Sequence, residues 1–236
     1  MKMHYPVLFL LAIVCLTVLP PLAIAQSATG ANGSSNAAVP PATPQPASTY
    51  TRPTAAVKFH NYLFDAFGPY PIVGAAIAAG INQADNAPPE WQQGGEGFGK
   101  RFGSNFGILA ISTSTRYALA AAFREDTLYY RCECTGFFPR LGHALMSTFA
   151  ARRGDDGHYV FSVPDLVAPY AGTMAGVYAW YPDRYDARDA FRLGNYSLIG
   201  YAAENVGLEF LYQGPHSLLG RMHLNNTHGA PPPDQH

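Results

Sequence analysis

The sequence predicts an all-α fold, a compact bundle of five to six helices with Gly/Ala-rich packing faces. Three observations predict it. Gly95, Gly99, Gly103 and Gly107 recur every four residues, and small residues continue the series at Ala110, Ser114, Ala118 and Ala122. A second series runs through Ala171, Gly172, Ala175, Gly176 and Ala179. Prolines and glycines stand where such helices would begin and end. Tyr196 to Tyr212 alternates loosely, which is the argument for a β-barrel; the Ala-rich runs outweigh it.

The elements follow in order. Phe59, Leu63, Phe64 and Phe67 give Val57–Phe67 a helical spacing. Gly68-Pro69-Tyr70-Pro71 interrupts it, and Pro71 opens a helix to Gln83, since its missing N–H would be unpaired there anyway. Asp85–Gly95 reads as a loop carrying Trp91, either a binding loop or a lid folded back on the bundle. The glycine-ladder helix spans about Gly97–Glu125. Pro139 opens a helix to Arg152, and Gly154-Asp155-Asp156-Gly157 is a turn. Ser162 with Asp165 three residues on starts a helix from Val163 to Tyr181, which Pro182 ends. Asp186 caps the last helix, Ala187–Tyr212, and Gly214-Pro215 stops it.

Glycine inside a helix costs roughly 0.8–1 kcal/mol relative to alanine, so close packing has to offset about 3 kcal/mol along the ladder. The stripe is expected to receive another helix of the same bundle, or else a second copy of the chain. Phe98, Phe102 and Phe106 form a ridge beside it. Arg101, Asn105, Ser112 and Arg116 fall opposite, on a face expected to meet water or headgroups.

The flanks divide the chain. Residues 1–25 read as a signal peptide: Val7–Leu19 is apolar, Pro20 and Pro21 stop it, and Ala23-Ile24-Ala25 fits a peptidase site. Residues 26–56 are a disordered Ala/Pro/Ser/Thr-rich linker and 225–236 a disordered tail, leaving 57–224 as the helical domain. Export directs the protein to the periplasm or cell envelope.

Charge is balanced, 15 Lys and Arg against 16 Asp and Glu, which excludes a basic nucleic-acid surface. Charged residues make up only 13% of the chain, against roughly 25% in ordinary soluble domains. That suits a tightly packed or membrane-contacting helical protein. No P-loop, dinucleotide fingerprint, nucleophile elbow or H-E-x-x-H stretch is present, and no metal or cofactor is expected.

Two groups of residues carry candidate chemistry. Cys132 and Cys134 form a candidate disulfide, a local staple or a redox pair. Glu125 and Asp126 close the ladder helix beside Arg124 and Arg131, an expected surface ion-pair cluster. Together with Trp91, Arg131 and His143 they define the alternative function, a periplasmic enzyme or small-ligand binder. The main expectation is a non-catalytic structural or interaction role, with a membrane surface, an envelope protein or a second copy as partner.

Phe67-Gly68-Pro69-Tyr70-Pro71, Ala79-Gly80-Ile81-Asn82-Gln83, Pro88-Pro89-Glu90-Trp91 and Tyr129-Tyr130-Arg131-Cys132 resemble segments of an uncharacterised group of exported bacterial proteins, over about residues 57–228. The resemblance implies a bacterial envelope setting and assigns no site residues.

Overall fold

The structure, a computed structural model, describes residues 50–211. The leader, residues 26–49 of the linker, the Gly214-Pro215 stop and the C-terminal tail lie outside the described residues. The described chain is mostly helical, with a small three-stranded antiparallel sheet.

Helix α1 (Ala55–Phe67) begins behind Thr54, whose hydroxyl accepts the Val57 N–H at 3.4 Å. Gly68 ends it, and α2 (Pro69–Ala84) starts at once with prolines in its first turn. A short 3₁₀ turn, Pro89–Trp91, leads to α3 (Gly94–Phe123). At 1.5 Å per residue this helix is about 45 Å long. It is the mast on which α1, α2 and α5 pack. Arg124 takes a left-handed conformation, φ 59°, and turns the chain out of the helix.

Strand β1 (Glu125–Asp126) follows, then α4 (Phe137–Met146), β2 (Ala150–Arg153) and β3 (His158–Phe161). Glu125 faces Arg153 and Asp126 faces Arg152; Ala150 faces Phe161 across the hairpin. Gly154 and Gly157, at φ 75° and 65°, make the turn that side chains resist. Helix α5 (Val163–Ala179) is capped as its sequence predicts, the Asp165 N–H donating to the Ser162 hydroxyl at 3.2 Å. Helix α6 (Ala187–Leu211) packs on α5 and, near its end, on α4.

Three expectations are corrected. The helix expected over Pro139–Arg152 stops at Met146, because Ala150–Arg153 pairs with β1 and β3 instead. Glu125 and Asp126 are strand residues and not a helix end. The linker boundary moves back, since Tyr50 is buried and donates its hydroxyl to Asp126 at 2.6 Å.

The glycine ladder is corrected in phase. A Cβ added at Gly95, Gly99 or Gly103 would meet nothing within 4 Å, and only Gly107 touches a neighbour, the Trp180 ring at 3.3 Å. The buried stripe of α3 is Gly97, Arg101, Ser104 and Ile108. Residues two apart on a helix point about 200° apart. A face built on 97 and 101 therefore turns 95, 99 and 103 outward. The side expected to be wet, at Arg101, is the sealed one. Close approach comes from α5: a Cβ on Gly172 would overlap the Ser112 hydroxyl, and one on Gly176 would lie 2.8 Å from the Ile108 side chain.

Large polar residues are sealed inside beside small apolar ones, and many large apolar residues stand outside. The largest sealed side chains are Arg101, Glu209, Asn61, Asn205, Thr148 and Thr173. Phe59, Ile77, Phe138, Tyr178 and Phe191 are among the large apolar side chains left exposed.

Candidate functional site, a buried polar network under the sheet

The network begins between the helices. Tyr117 donates its hydroxyl to Asp65 at 2.5 Å, and Arg116 Nη2 lies 3.5 Å from the same carboxylate. Arg116 Nη1 donates to the Tyr201 hydroxyl at 2.8 Å, its guanidinium stacked over the Tyr117 and Tyr201 rings. These contacts bind α1, α3 and α6 with one cation.

Under the sheet, Asp126 accepts the hydroxyls of Tyr50 and Tyr130, at 2.6 and 2.8 Å, and the Leu128 N–H at 3.1 Å. Arg152 lies across from it in β2. Its guanidinium is within 5.2 Å of the ring centres of Tyr50, Tyr130 and Tyr159, a cage already filled by the protein's own cation. Glu125 accepts the Ser162 hydroxyl at 2.8 Å, and burial pushes its carboxyl up. At 3% and 4% exposed, Glu125 and Asp126 are not the surface ion pairs that the sequence predicts.

The third cluster centres on Glu209 of α6, wholly buried. Its carboxylate accepts Tyr129 Oη at 2.7 Å, Arg140 Nε at 2.7 Å and the Cys132 N–H at 3.0 Å. Arg140 Nη2 also donates to the Glu209 carbonyl. His143 stands 3.8 Å from the carboxylate and beside the Tyr129 ring, and burial pushes its imidazole below the ordinary range. Cys132 and Cys134 are bonded to each other, with Cα atoms 5.2 Å apart. Burial and the neighbouring carboxylates push the phenols of Tyr129 and Tyr130 well up, so both stay donors.

The alternative site of the sequence does not assemble. Trp91 packs on Tyr181, ring centres 5.0 Å apart, at the start of α3. Glu125 and Asp126 follow its far end, about 45 Å away along the helix. The cavity beside Asp126, Tyr130, Arg152, Asp165 and Tyr201 measures about 20 Å³. That is room for about one water, whereas small-molecule pockets run to roughly 300–1,000 Å³. Among the described residues no group of three or more His, Cys, Asp or Glu is placed to hold a metal ion.

Arg116, Asp65, Arg140, Arg152 and Glu209 are centres of the network that the sequence reading misses. One signal was present. A lone cation at the end of a long uncharged helical run needs a partner, and Arg101 and Arg116 flank such a run.

No protein-family model matches the chain. Neither a curated protein nor a solved structure is detectably similar to it.

Proposed function

We propose that this chain is an exported, membrane-associated protein with a non-catalytic structural or interaction role. The observation that carries the reading is an uncharged belt across the bundle. Helix α3 has no charge between Arg101 and Arg116, α2 has none at all, α5 none after Asp165, and α6 none between Arg192 and Glu204.

Side-by-side contacts bring the α3 and α5 runs level, and the α6 run is offset from them, its Tyr201 meeting Arg116. Trp180 Nε1 donates to Ser104 at 2.8 Å, Gly172 lies against Ser112, and Tyr170 donates to Asn195 at 2.7 Å. The run on α3 is roughly 21 Å long at 1.5 Å per residue. Ile72, Val73, Ile77, Val167, Tyr178 and Ile199 stand exposed on these runs.

Two helical stretches, Gly94–Phe123 and the α1–α2 pair Ala55–Ala84 with its break at Gly68, are long and apolar enough to cross a membrane. A core helix of a soluble protein can meet that test, but it would be mostly buried. Here only 22% and 11% of the apolar windows are buried. The belt is shorter than the ~30 Å hydrocarbon core, a mismatch met by local thinning or partial insertion. The buried polar clusters fit such a setting, because ionisable groups near lipid pair with one another inside the bundle. The apolar run Val7–Leu19 with Ala23-Ile24-Ala25 supports export.

Vesicle flotation tests the reading. The full chain is expected to rise with phosphatidylethanolamine–phosphatidylglycerol vesicles and to resist carbonate extraction. A monomer that stays in buffer and ignores vesicles overturns it.

A further inference from the structure

Helix α4 is amphipathic the wrong way round for water. Arg140, His143 and Ala144 lie on the side facing α6 and Tyr129, where Glu209 satisfies Arg140. Phe138, Leu145 and Met146 point away, Phe138 being 80% exposed, while Phe137 packs its ring on Phe210 of α6 at 5.1 Å. The chain then runs through Phe149 to β2. On the hairpin Phe161, which pairs with Ala150, and Tyr159, which also walls the Arg152 cage, are exposed as well.

Apolar surface left bare in this way gains nothing from the hydrophobic effect in water. The gain comes only if something apolar covers that surface.

We infer that α4 and the β2–β3 hairpin form a ledge that seats at the headgroup–acyl boundary of a bilayer, an inference that rests on the membrane reading above. Lipid is the occupant because large apolar side chains stand exposed on every helix: Phe59 on α1, Ile77 on α2, Phe98 on α3, Tyr178 on α5, Ile199 on α6. One docked protein covers only about 800 Å² of its partner. Apolar surface distributed over all the elements calls for a medium. The ledge is aromatic, as elements at that depth tend to be, and α4 at ten residues is too short to span. Through Arg140 and His143 it belongs to the Glu209 cluster, past Glu204 where the uncharged run of α6 stops.

The test places a photoreactive aromatic at the ledge and in the belt. The full chain carrying Phe138→p-benzoylphenylalanine, and separately Ile77→p-benzoylphenylalanine, is irradiated with phosphatidylethanolamine–phosphatidylglycerol vesicles, and adducts are read by mass spectrometry. Both sites are exposed, so the fold is preserved. Lipid adducts at both positions support the ledge. Adducts at position 77 and none at 138 overturn the ledge and leave the membrane reading standing. Lipid adducts at neither position overturn both. A cross-link from 138 to a second copy, or to an added protein, makes the ledge a protein interface and overturns its assignment to lipid.

Discussion

Arg101 and Gln83 meet at 2.6 Å, guanidinium Nη1 to amide Oε1, at the foot of the longest helix. The same guanidinium donates to the carbonyls of Ala87, Pro88 and Gln92 at 2.9, 2.9 and 2.6 Å, and to Asn86 Oδ1 at 3.3 Å. Every hydrogen bond it makes goes to a neutral oxygen. Arg101 is wholly buried, so this cation is held by carbonyl and amide dipoles and ties the 85–93 loop to α3.

Arg101→Lys is therefore expected to destabilise the protein by about 3 kcal/mol, since an ammonium has three donors and cannot reach this planar set of acceptors. Denaturant unfolding in detergent measures the loss, and limited proteolysis should find new cuts between residues 85 and 93. An unchanged unfolding midpoint would mean that the loop holds itself.

Glycines on the two long helices should respond in opposite directions. Gly99→Ala adds a Cβ into open space and removes the helix penalty of glycine, a gain of about 0.8–1 kcal/mol. Gly172→Ala drives a Cβ into the Ser112 hydroxyl and to 2.5 Å from the Ile108 carbonyl oxygen. Separating α3 from α5 to relieve that overlap costs about 1–3 kcal/mol. Thermal unfolding of the two variants decides it. A loss on Gly99→Ala in isolated monomer would show that the ladder packs after all.

That contrast marks what the sequence shows and what it hides. The helices were legible because Phe59, Leu63 and Phe67, or Ala171, Ala175 and Ala179, repeat at a local period, and because Ser162 and Pro164 announce a start. The turn at Gly154–Gly157 was legible from its glycines. The period of the ladder was legible, but its phase was not. Arg101 decides which side of α3 is buried, and its acceptors sit on a loop whose path no spacing reveals.

Strands of two and four residues left no pattern of their own; β1 and β2 exist because Asp126 and Arg152 meet across the chain. Glu209 finds Arg140 at a separation of 69 residues, and nothing near either residue signals the other. For the same reason the alternative pocket does not form: Trp91 and Glu125 sit beyond opposite ends of α3.

Glu209 should matter more than the disulfide beside it. Glu209→Gln leaves the part-exposed Arg140 against an amide and removes the charge that three donors share, an expected loss of about 2–3 kcal/mol. A double-mutant cycle with Arg140→Met should return a coupling above about 1.5 kcal/mol, and additive losses would dissolve the pair. Replacing both Cys132 and Cys134 by Ser opens only a very short loop, worth about 1–2 kcal/mol in the chain-entropy account. Cys132 reaches Glu209 through its backbone N–H, which serine keeps. If reduction unfolds the protein while Glu209→Gln does not, that order is reversed.

His143 gives the fold an acid-sensitive step. It lies 3.8 Å from Glu209, beside Tyr129 and within the field of Arg152, and burial outweighs the carboxylate to hold its pKa below the ordinary value. A group depressed on folding contributes stability above its unfolded pKa, about 6.5 for histidine, and loses it as pH falls through the folded value. Glu125 works the other way. Burial raises it, so its contribution is complete below about pH 4.3 and is lost as pH rises through its folded value. As pH falls below about 6.5 the histidine should therefore lower the unfolding temperature. His143→Gln, which keeps a polar side chain without a titrating ring, should flatten that slope, and Glu125→Gln should leave it in place or steepen it. Melting in detergent on either side of about pH 6.5 measures all three proteins. A wild-type slope that survives in His143→Gln would move the acid sensitivity to another group.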